Sequence, residues 1–206
     1  MLNEANPEKK GLRKDQLLLI KEKVYERILE YIVCEGIPTD STGDFREENI
    51  NDLVYTIISP VIAACRSELG RKLRLRREKK ITAVDGKYSG LQEFITVDLI
   101  GVGNTKFVFV VEAKKTTLGE AKIQCLLPML DMAAMNGGGV VYGFVTTGQQ
   151  WQMLRCNGTQ FTQTDTFEVL FHTMKGHKKK WLDKYSAVVD AIHTAIVSGG
   201  SPGPEK

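Results

Sequence analysis

The sequence lacks the cysteine and histidine patterns of a zinc site or a redox pair. Its three histidines, His172, His177 and His193, have no zinc-ligand spacing, and no two cysteines form a Cys-x-x-Cys pair. Cysteines that are scattered in this way are typical of reducing compartments. We therefore expect four free, mostly buried thiols, at Cys34, Cys65, Cys125 and Cys156.

The chain also lacks the signals of export and membrane insertion. Its first residues, MLNEANPEKKGLRKDQ, contain no apolar core of a signal peptide, and no stretch approaches the roughly 18 uninterrupted apolar residues of a membrane span. We therefore expect an intracellular protein, cytoplasmic or nuclear, with no membrane partner.

Two common catalytic fingerprints are absent. The segment Gly101-Val102-Gly103 is not completed as a dinucleotide-binding or phosphate-binding loop, because no helix follows it. No Gly-x-Ser-x-Gly motif occurs, so a hydrolase triad has no nucleophile to start from.

Charge is clustered rather than strongly unbalanced. The net charge is +3, but positive side chains are concentrated in residues 71–80 and again in residues 175–180. Residues 71–84 alternate between basic and apolar side chains, as a strand with one basic face does. Such a face is either simply solvated or binds nucleic-acid phosphates. The candidate phosphate-binding residues are Arg71, Lys72, Arg74, Arg76 and Arg77.

Hydrophobic periodicity predicts four helices, over residues 13–35, 44–69, 117–135 and 179–197, with Pro60 expected to kink or divide the second. Strands are predicted over residues 71–84 and 94–115, and residues 140–172 read as a meander of strands. This order indicates an α/β (α+β) fold with a mixed central sheet flanked by helices.

The domain boundaries follow from the same pattern. We expect an N-terminal helix and loop (1–43) that pack on the core, a main domain (44–198) that includes the last helix, and a disordered tail (199–206).

The most informative stretch is residues 94–115, FITVDLIGVGNTKFVFVVEAKK. It reads as two apolar strands that carry acids at Asp98 and Glu112. Lys114 follows two residues after Glu112, so the two side chains point the same way in a regular strand. They could also form an ordinary exposed ion pair, and Asp98 could cap a loop.

Two hairpin registers compete for this stretch. A loop over residues 103–107 places Asp98 directly opposite Glu112, whereas a tight turn on Gly103-Asn104 places Asp98 opposite Phe109 and on the other face. Only the first register builds a site. Two facing carboxylates repel each other, so the site would call for a hard divalent cation with oxygen ligands.

The pattern Asp98…Glu112-Ala113-Lys114 resembles the Asp…(Asp/Glu)-x-Lys signature of the PD-(D/E)xK nuclease superfamily, which has the restriction-endonuclease-like fold. Gln124 is similar to the glutamine in the following helix of RecB-like nucleases. The segment YGFVTTGQQWQMLRCNG is similar to part of type I restriction subunits and Crinkler-type nuclease-like domains. Glu47 matches the family's acid in the preceding helix, whereas Val97 stands where the family name has proline.

The resemblance implies a metal-dependent nuclease that hydrolyses phosphodiester bonds, in DNA rather than RNA. Asp98, Glu112, the carbonyl of Ala113 and Glu47 would hold Mg²⁺ or Mn²⁺. Lys114 would position or deprotonate the attacking water, and Gln124 would orient Lys114 or contact the substrate. One alternative is a catalytically inactive nuclease-like module that binds nucleic acid or protein, with its amphipathic first and last helices as docking surfaces, and the candidate protein partners include a second copy of the chain. Another is a purely structural α/β interaction domain in which the carboxylates are coincidental.

Two of these residues also have ordinary structural interpretations. Glu47 could form a capping box with Asp44 at a helix start. Gln124 could be an exposed residue on the surface of its helix.

Overall fold

The computed structural model describes residues 11–38, 45–82, 89–101, 104–158 and 160–200, and of residues 78–82 and 89–92 it describes the backbone alone. The described helices are α1 (Lys14–Glu35), α2 (Glu47–Glu68), α3 (Leu118–Met135), α4 (Lys178–Lys184) and α5 (Ala187–Ser198). The strands are β1 (Leu73–Thr82), β2 (Ser89–Gly101), β3 (Asn104–Ala113), β4 (Val140–Thr146), β5 (Gln150–Asn157), β6 (Gln160–Gln163) and β7 (Phe167–Glu168).

The strands form one mixed sheet in the order β1-β2-β3-β4-β5-β6, with β7 paired to β5. Only β3 and β4 run parallel, and α3 makes the crossover that such a pairing requires. The α/β (α+β) class and the mixed sheet flanked by helices are thus confirmed.

The sheet is covered on both faces. One apolar cluster joins α1, α2, α4 and α5 to one face, and the other cluster joins α3 to the opposite face. Seven consecutive residues of β3, 107–113, are buried, which explains the continuous apolar run in the sequence. Glu112 is the charged residue in that run, so the strand carries it into the interior.

Three details of the helices differ from the sequence predictions. Helix α2 begins at Glu47 rather than at residue 44 and continues through Pro60 as one helix, so Pro60 does not divide it. Pro60 is one of the buried residues of this continuous helix. The last predicted helix is two helices, because the chain leaves the helical path at Tyr185–Ser186.

Strand β3 contains a β-bulge next to its pairing with β2. Thr96 pairs with Phe109 and Val97 pairs with Phe107, which leaves Val108 without a direct partner on β2. Val108 and Phe109 both join the core under α2 and α5, whereas Phe107 joins the core under α3. The bulge therefore interrupts the alternation of faces along β3, whereas β2 alternates regularly, with Ile95 and Val97 both in the core under α3.

The C-terminal boundary was predicted one or two residues too early. Gly199 follows α5 directly and lies against Val108, and Gly200 donates its amide to the carbonyl of Val140 at 2.8 Å. These two residues are packed on the sheet and do not belong to a tail; residues 201–206 lie outside the described part.

Two other expectations can be compared with the structure. All four cysteines are free, and all but Cys34 are buried, as predicted. Among the described helices none is long and apolar enough to cross a membrane.

Candidate active site

Four charged side chains converge at one end of the sheet, where β3 ends and α2 begins. Glu112 is the penultimate residue of β3, and Lys114 follows the strand. Glu93 comes from the neighbouring β2, and Glu47 is the first residue of α2. Helix α2 and the two strands of the β2–β3 hairpin thus deliver three carboxylates and one amine to the same place.

Lys114 links two of the carboxylates. Its ammonium is hydrogen-bonded to Glu47 and lies 3.5 Å from Oε1 of Glu93. The backbone is held as well, since the Lys114 amide donates to the carbonyl of Thr146 on β4 at 2.9 Å. Burial lowers the pKa of Lys114, but the hydrogen bond and charges of the two glutamates outweigh burial and raise it. The amine is therefore held in its charged form.

Glu93 is fixed by the strand beside it. Its Oε2 accepts a hydrogen bond from the Ala113 amide at 2.7 Å, in the place where a backbone carbonyl would continue the ladder. Burial, reinforced by Glu47, raises the pKa of Glu93 to about 7, against the opposing effects of that amide and of Lys114.

Glu112 is the most deeply buried member, with 2% of its surface exposed. Its Oε1 atom has no hydrogen-bond partner among the described residues. Burial and the neighbouring Glu93 raise the pKa of Glu112 to about 9. A buried acid without a partner destabilises a fold, so its presence requires an explanation other than stability.

Asp98 does not join this group. It pairs with Lys106, and its carboxylate accepts from Arg71 at 2.8 Å on the face covered by α5. The same guanidinium also donates to the carbonyls of Ile196 and Gly199. The prediction that Asp98 faces Glu112 is wrong, because the observed hairpin adopts neither of the two registers considered.

Glu93 is the residue that the sequence reasoning missed. Gly101 pairs with Asn104, so only two residues separate the strands, and Phe94 pairs with Val111. The next step along the ladder places Glu93 opposite Glu112. A tight turn one residue earlier than the one considered would have predicted this pairing. The bulge does not change this pairing, because a second irregularity between Leu99 and Gly101 shifts the register back by the same amount.

The other predicted site residues have separate positions. Gln124 is exposed on α3, and within the described part of the chain no hydrogen bond joins it to Lys114. The amide of Ala113 binds Glu93, and the role of its carbonyl as a metal ligand stays a prediction. Glu47 is the first residue of α2, and the Asn49 side chain accepts from the Arg46 amide there; Asp44, the other member of the predicted capping box, lies outside the described residues.

The basic residues of β1 divide between the two faces of the sheet. Leu73 and Leu75 pack towards α2, so Arg74 and Arg76 lie on the other face, opposite Val97 and Ile95. That face also holds Glu93, two residues before Ile95. No hydrogen bond or ion pair ties Arg74 or Arg76 to any other residue that the structure describes.

Arg71 and Arg77 instead make contacts within the fold. Arg71 binds Asp98, while Arg77 binds Asp52 at 3.2 Å and lies 5.2 Å from the ring centre of Phe94. Lys72 is exposed.

The donor set suits a hard divalent cation. All three acids offer carboxylate oxygens, and one oxygen of Glu112 is buried and unpaired, as a ligand atom for a cation would be. In the described residues no three acidic, cysteine or histidine side chains are already arranged around a common point as metal ligands. The ammonium of Lys114 is paired with Glu47 and Glu93 in this arrangement.

Comparison with known proteins gives no family for this chain. No protein-family model matches it, and no curated protein sequence does so either.

Proposed function

We propose that this chain is a divalent-metal-dependent nuclease whose reacting groups are Glu47, Glu93, Glu112 and Lys114. The observation that carries the proposal is the buried carboxylate of Glu112, whose unpaired oxygen lies beside two further acids and a lysine. Acids whose pKa values are shifted by burial and by specific charged neighbours are characteristic of functional sites.

The arrangement of elements supports the restriction-endonuclease-like fold within this proposal. A β2–β3 hairpin carries the acids, and α3 then crosses to the parallel strand β4. Within the proposal, Glu112-Ala113-Lys114 remains the Glu-x-Lys part of the family signature, and Glu93 replaces Asp98 as its first acid.

Glu93, Glu112 and Glu47 are the residues that would hold Mg²⁺ or Mn²⁺. When bound, the ion would polarise the phosphoryl group and lower the pKa of a bound water. Lys114 would donate hydrogen bonds to the attacking water and offset the negative charge that develops on the phosphate oxygens. Hydrolysis forms a bond from the water oxygen to phosphorus and breaks the bond to the leaving sugar oxygen.

Nucleic acid is the substrate class that the surface charge favours. Arg74 and Arg76 lie on the same sheet face as Glu93, where they could bind successive phosphates of a strand that enters the site. DNA is preferred to RNA on the strength of the family resemblance.

The test is incubation of the protein with plasmid DNA, single-stranded DNA and RNA in Mn²⁺, Mg²⁺ or EDTA. We expect metal-dependent cutting that falls on the order of 100-fold in Glu93→Gln and in Lys114→Met. Asp98→Asn is the matched control, an acid on the same strand that should keep its activity. Binding without cutting in either metal would instead support the inactive nuclease-like module.

A further inference from the structure

The turn between β4 and β5 is held unusually firmly for a surface turn. The Thr146 hydroxyl accepts from the Gly148 amide and donates to the Gln150 carbonyl, both at 2.8 Å. The buried indole of Trp151 donates to the Gly148 carbonyl at 3.0 Å. Side chains thus bond the turn's backbone from the inside, which leaves the side chains of Gln149 and Gln150 at the surface.

Gly148 also anchors this turn against the helical layer. Its φ is +85°, and a Cβ there would meet Leu53 and Pro38 at 3.3 Å and Ile50 at 3.4 Å. Such a conformation favours glycine, and the close approach excludes a larger residue. The position of the turn relative to α2 is therefore fixed before any ligand binds.

A pocket lies between this turn and the start of α2, next to the candidate active site. Lys115, which follows Lys114, lines the pocket. Glu47 falls in the sequence between two other lining residues, Phe45 and Ile50. The lining residues from α2 and the segment before it are apolar, and those that follow β3 and β4 are polar. The apolar residues are Pro38, Phe45 and Ile50, and the polar residues are Lys115, Thr116, Thr147, Gln149 and Gln150.

The polar side of the pocket has hydrogen-bonding capacity to spare. The side-chain amides of Gln149 and Gln150 bond to no other residue in the described ranges, although the backbone of both residues is engaged. A glutamine amide offers a donor and an acceptor side by side, which is the pattern that can pair with the Watson–Crick edge of an unstacked nucleobase. The apolar wall suits the flat face of the same ring.

We infer that this pocket takes the unpaired nucleobase of the nucleotide next to the phosphate that is cut. A base within a duplex uses its pairing edge for its partner strand, so only an unpaired base can present that edge to Gln149 and Gln150. The substrate class is therefore single-stranded nucleic acid or an unpaired end. This inference rests on the proposed nuclease function for the role of the neighbouring phosphate.

The first experiment measures binding of the full chain in EDTA by fluorescence anisotropy. The probes are a single-stranded DNA oligonucleotide, its RNA counterpart, a blunt duplex, and an abasic oligonucleotide of equal length. We expect the wild type to bind the base-containing DNA strand about tenfold more tightly than the abasic strand. The double variant Gln149→Ala/Gln150→Ala should lose this preference and keep its affinity for the abasic strand.

Gln160→Ala is the matched control, because Gln160 is exposed on β6 and lies outside the pocket. Equal binding of the two strands by the wild type, or an unchanged preference in the double variant, overturns the inference. The RNA arm shows whether the sugar matters, and equal affinity for the DNA strand and its RNA counterpart supports recognition through the base.

A second experiment separates this inference from the proposed function. Cleavage of single-stranded and duplex substrates is measured in Mn²⁺ for the wild type and Glu93→Gln. Duplex cut as fast as single strand overturns the pocket inference and leaves the nuclease intact. Base-dependent binding without any cleavage supports the pocket and contradicts the nuclease.

Discussion

At the scale of single residues, Glu112 carries a structural cost that the proposed metal site would explain. Its carboxylate is buried beside Glu93, and burial raises its pKa to about 9. In the folded protein the charged form is therefore disfavoured relative to the unfolded chain. Residues of this kind are retained where activity needs them, at the expense of stability.

Glu112→Gln should therefore stabilise the fold while it abolishes cutting. The amide has nearly the shape of the protonated acid and needs no proton uptake on folding at neutral pH, so we expect a gain of roughly 1 kcal/mol in the free energy of unfolding. That gain corresponds to about 2–4 °C in Tm for a chain of this size. Thermal unfolding in EDTA measures it, and a loss of stability would contradict this interpretation of Glu112.

Asp98→Asn should have the opposite pair of effects. Asp98 neutralises Arg71, whose guanidinium joins β2 to the end of α5 through the carbonyls of Ile196 and Gly199. Leaving that cation without its carboxylate should cost about 1–3 kcal/mol. Urea unfolding measures the loss, and nuclease activity per folded molecule should stay within a factor of two or so of the wild type. A 100-fold loss of activity in a folded variant would return Asp98 to the site.

At the scale of elements, β1 is an edge strand whose two faces have different neighbours. Arg77 packs over Phe94 and pairs with Asp52, whereas Arg76 lies on the face that holds Glu93. Substitutions of these two neighbours form a matched pair, since each substitution removes one positive charge from the same strand.

Arg76→Ala should weaken nucleic-acid binding and lower the slope of log affinity against log salt by about 1, as expected for one lost phosphate contact. Arg77→Ala should leave that slope unchanged and should lower stability instead. Anisotropy titrations across a range of salt concentrations compare the two. Equal slopes for both variants would show that the two faces of β1 do not differ in binding.

The β2–β3 hairpin shows how far pattern reading reaches at this scale. The apolar run of β3 and the place of Glu112 and Lys114 within it were predicted from alternation and strand length. The partner of Glu112 was not, because the turn lies one residue earlier than the tight turn considered, whereas the bulge at Val108 is offset by the irregularity between Leu99 and Gly101. A shift of this kind leaves the local composition untouched and alters only the pairing.

At the scale of the whole molecule, the two ends of the described chain are joined. The Leu12 amide donates to Nε2 of His193 on α5 at 2.9 Å, and Lys21 on α1 pairs with Asp190 on α5 at 2.7 Å. Burial lowers the pKa of His193 from its usual 6.5, although Asp190 opposes this effect. The neutral imidazole is the form that can accept the hydrogen bond from Leu12.

This contact predicts a dependence of stability on pH. Below about pH 6.5 the unfolded chain binds a proton at His193 that the folded protein resists, so the stability contributed by this group is fully present above that pH and is lost as the pH falls. Urea midpoints at pH 7.5 and 5.5 measure the change.

His193→Gln is the control, since its amide oxygen can accept from Leu12 without titrating. Glu93 and Glu112, whose pKa values are raised, change stability in the opposite sense, so the difference between wild type and variant isolates His193. Identical pH profiles for the two proteins would contradict the prediction.

The sequence by itself determined the helix α1, the buried character of β3 and the presence of Glu112 and Lys114 on one side of its end. These features depend on residues close together in the chain, where spacing is visible. Only the tertiary structure decided that Glu93 and Glu47 join them and that Asp98 does not. Strand register and the approach of α2 depend on packing between distant segments, here Val108 and Phe109 against the helical layer, and no local pattern records that packing.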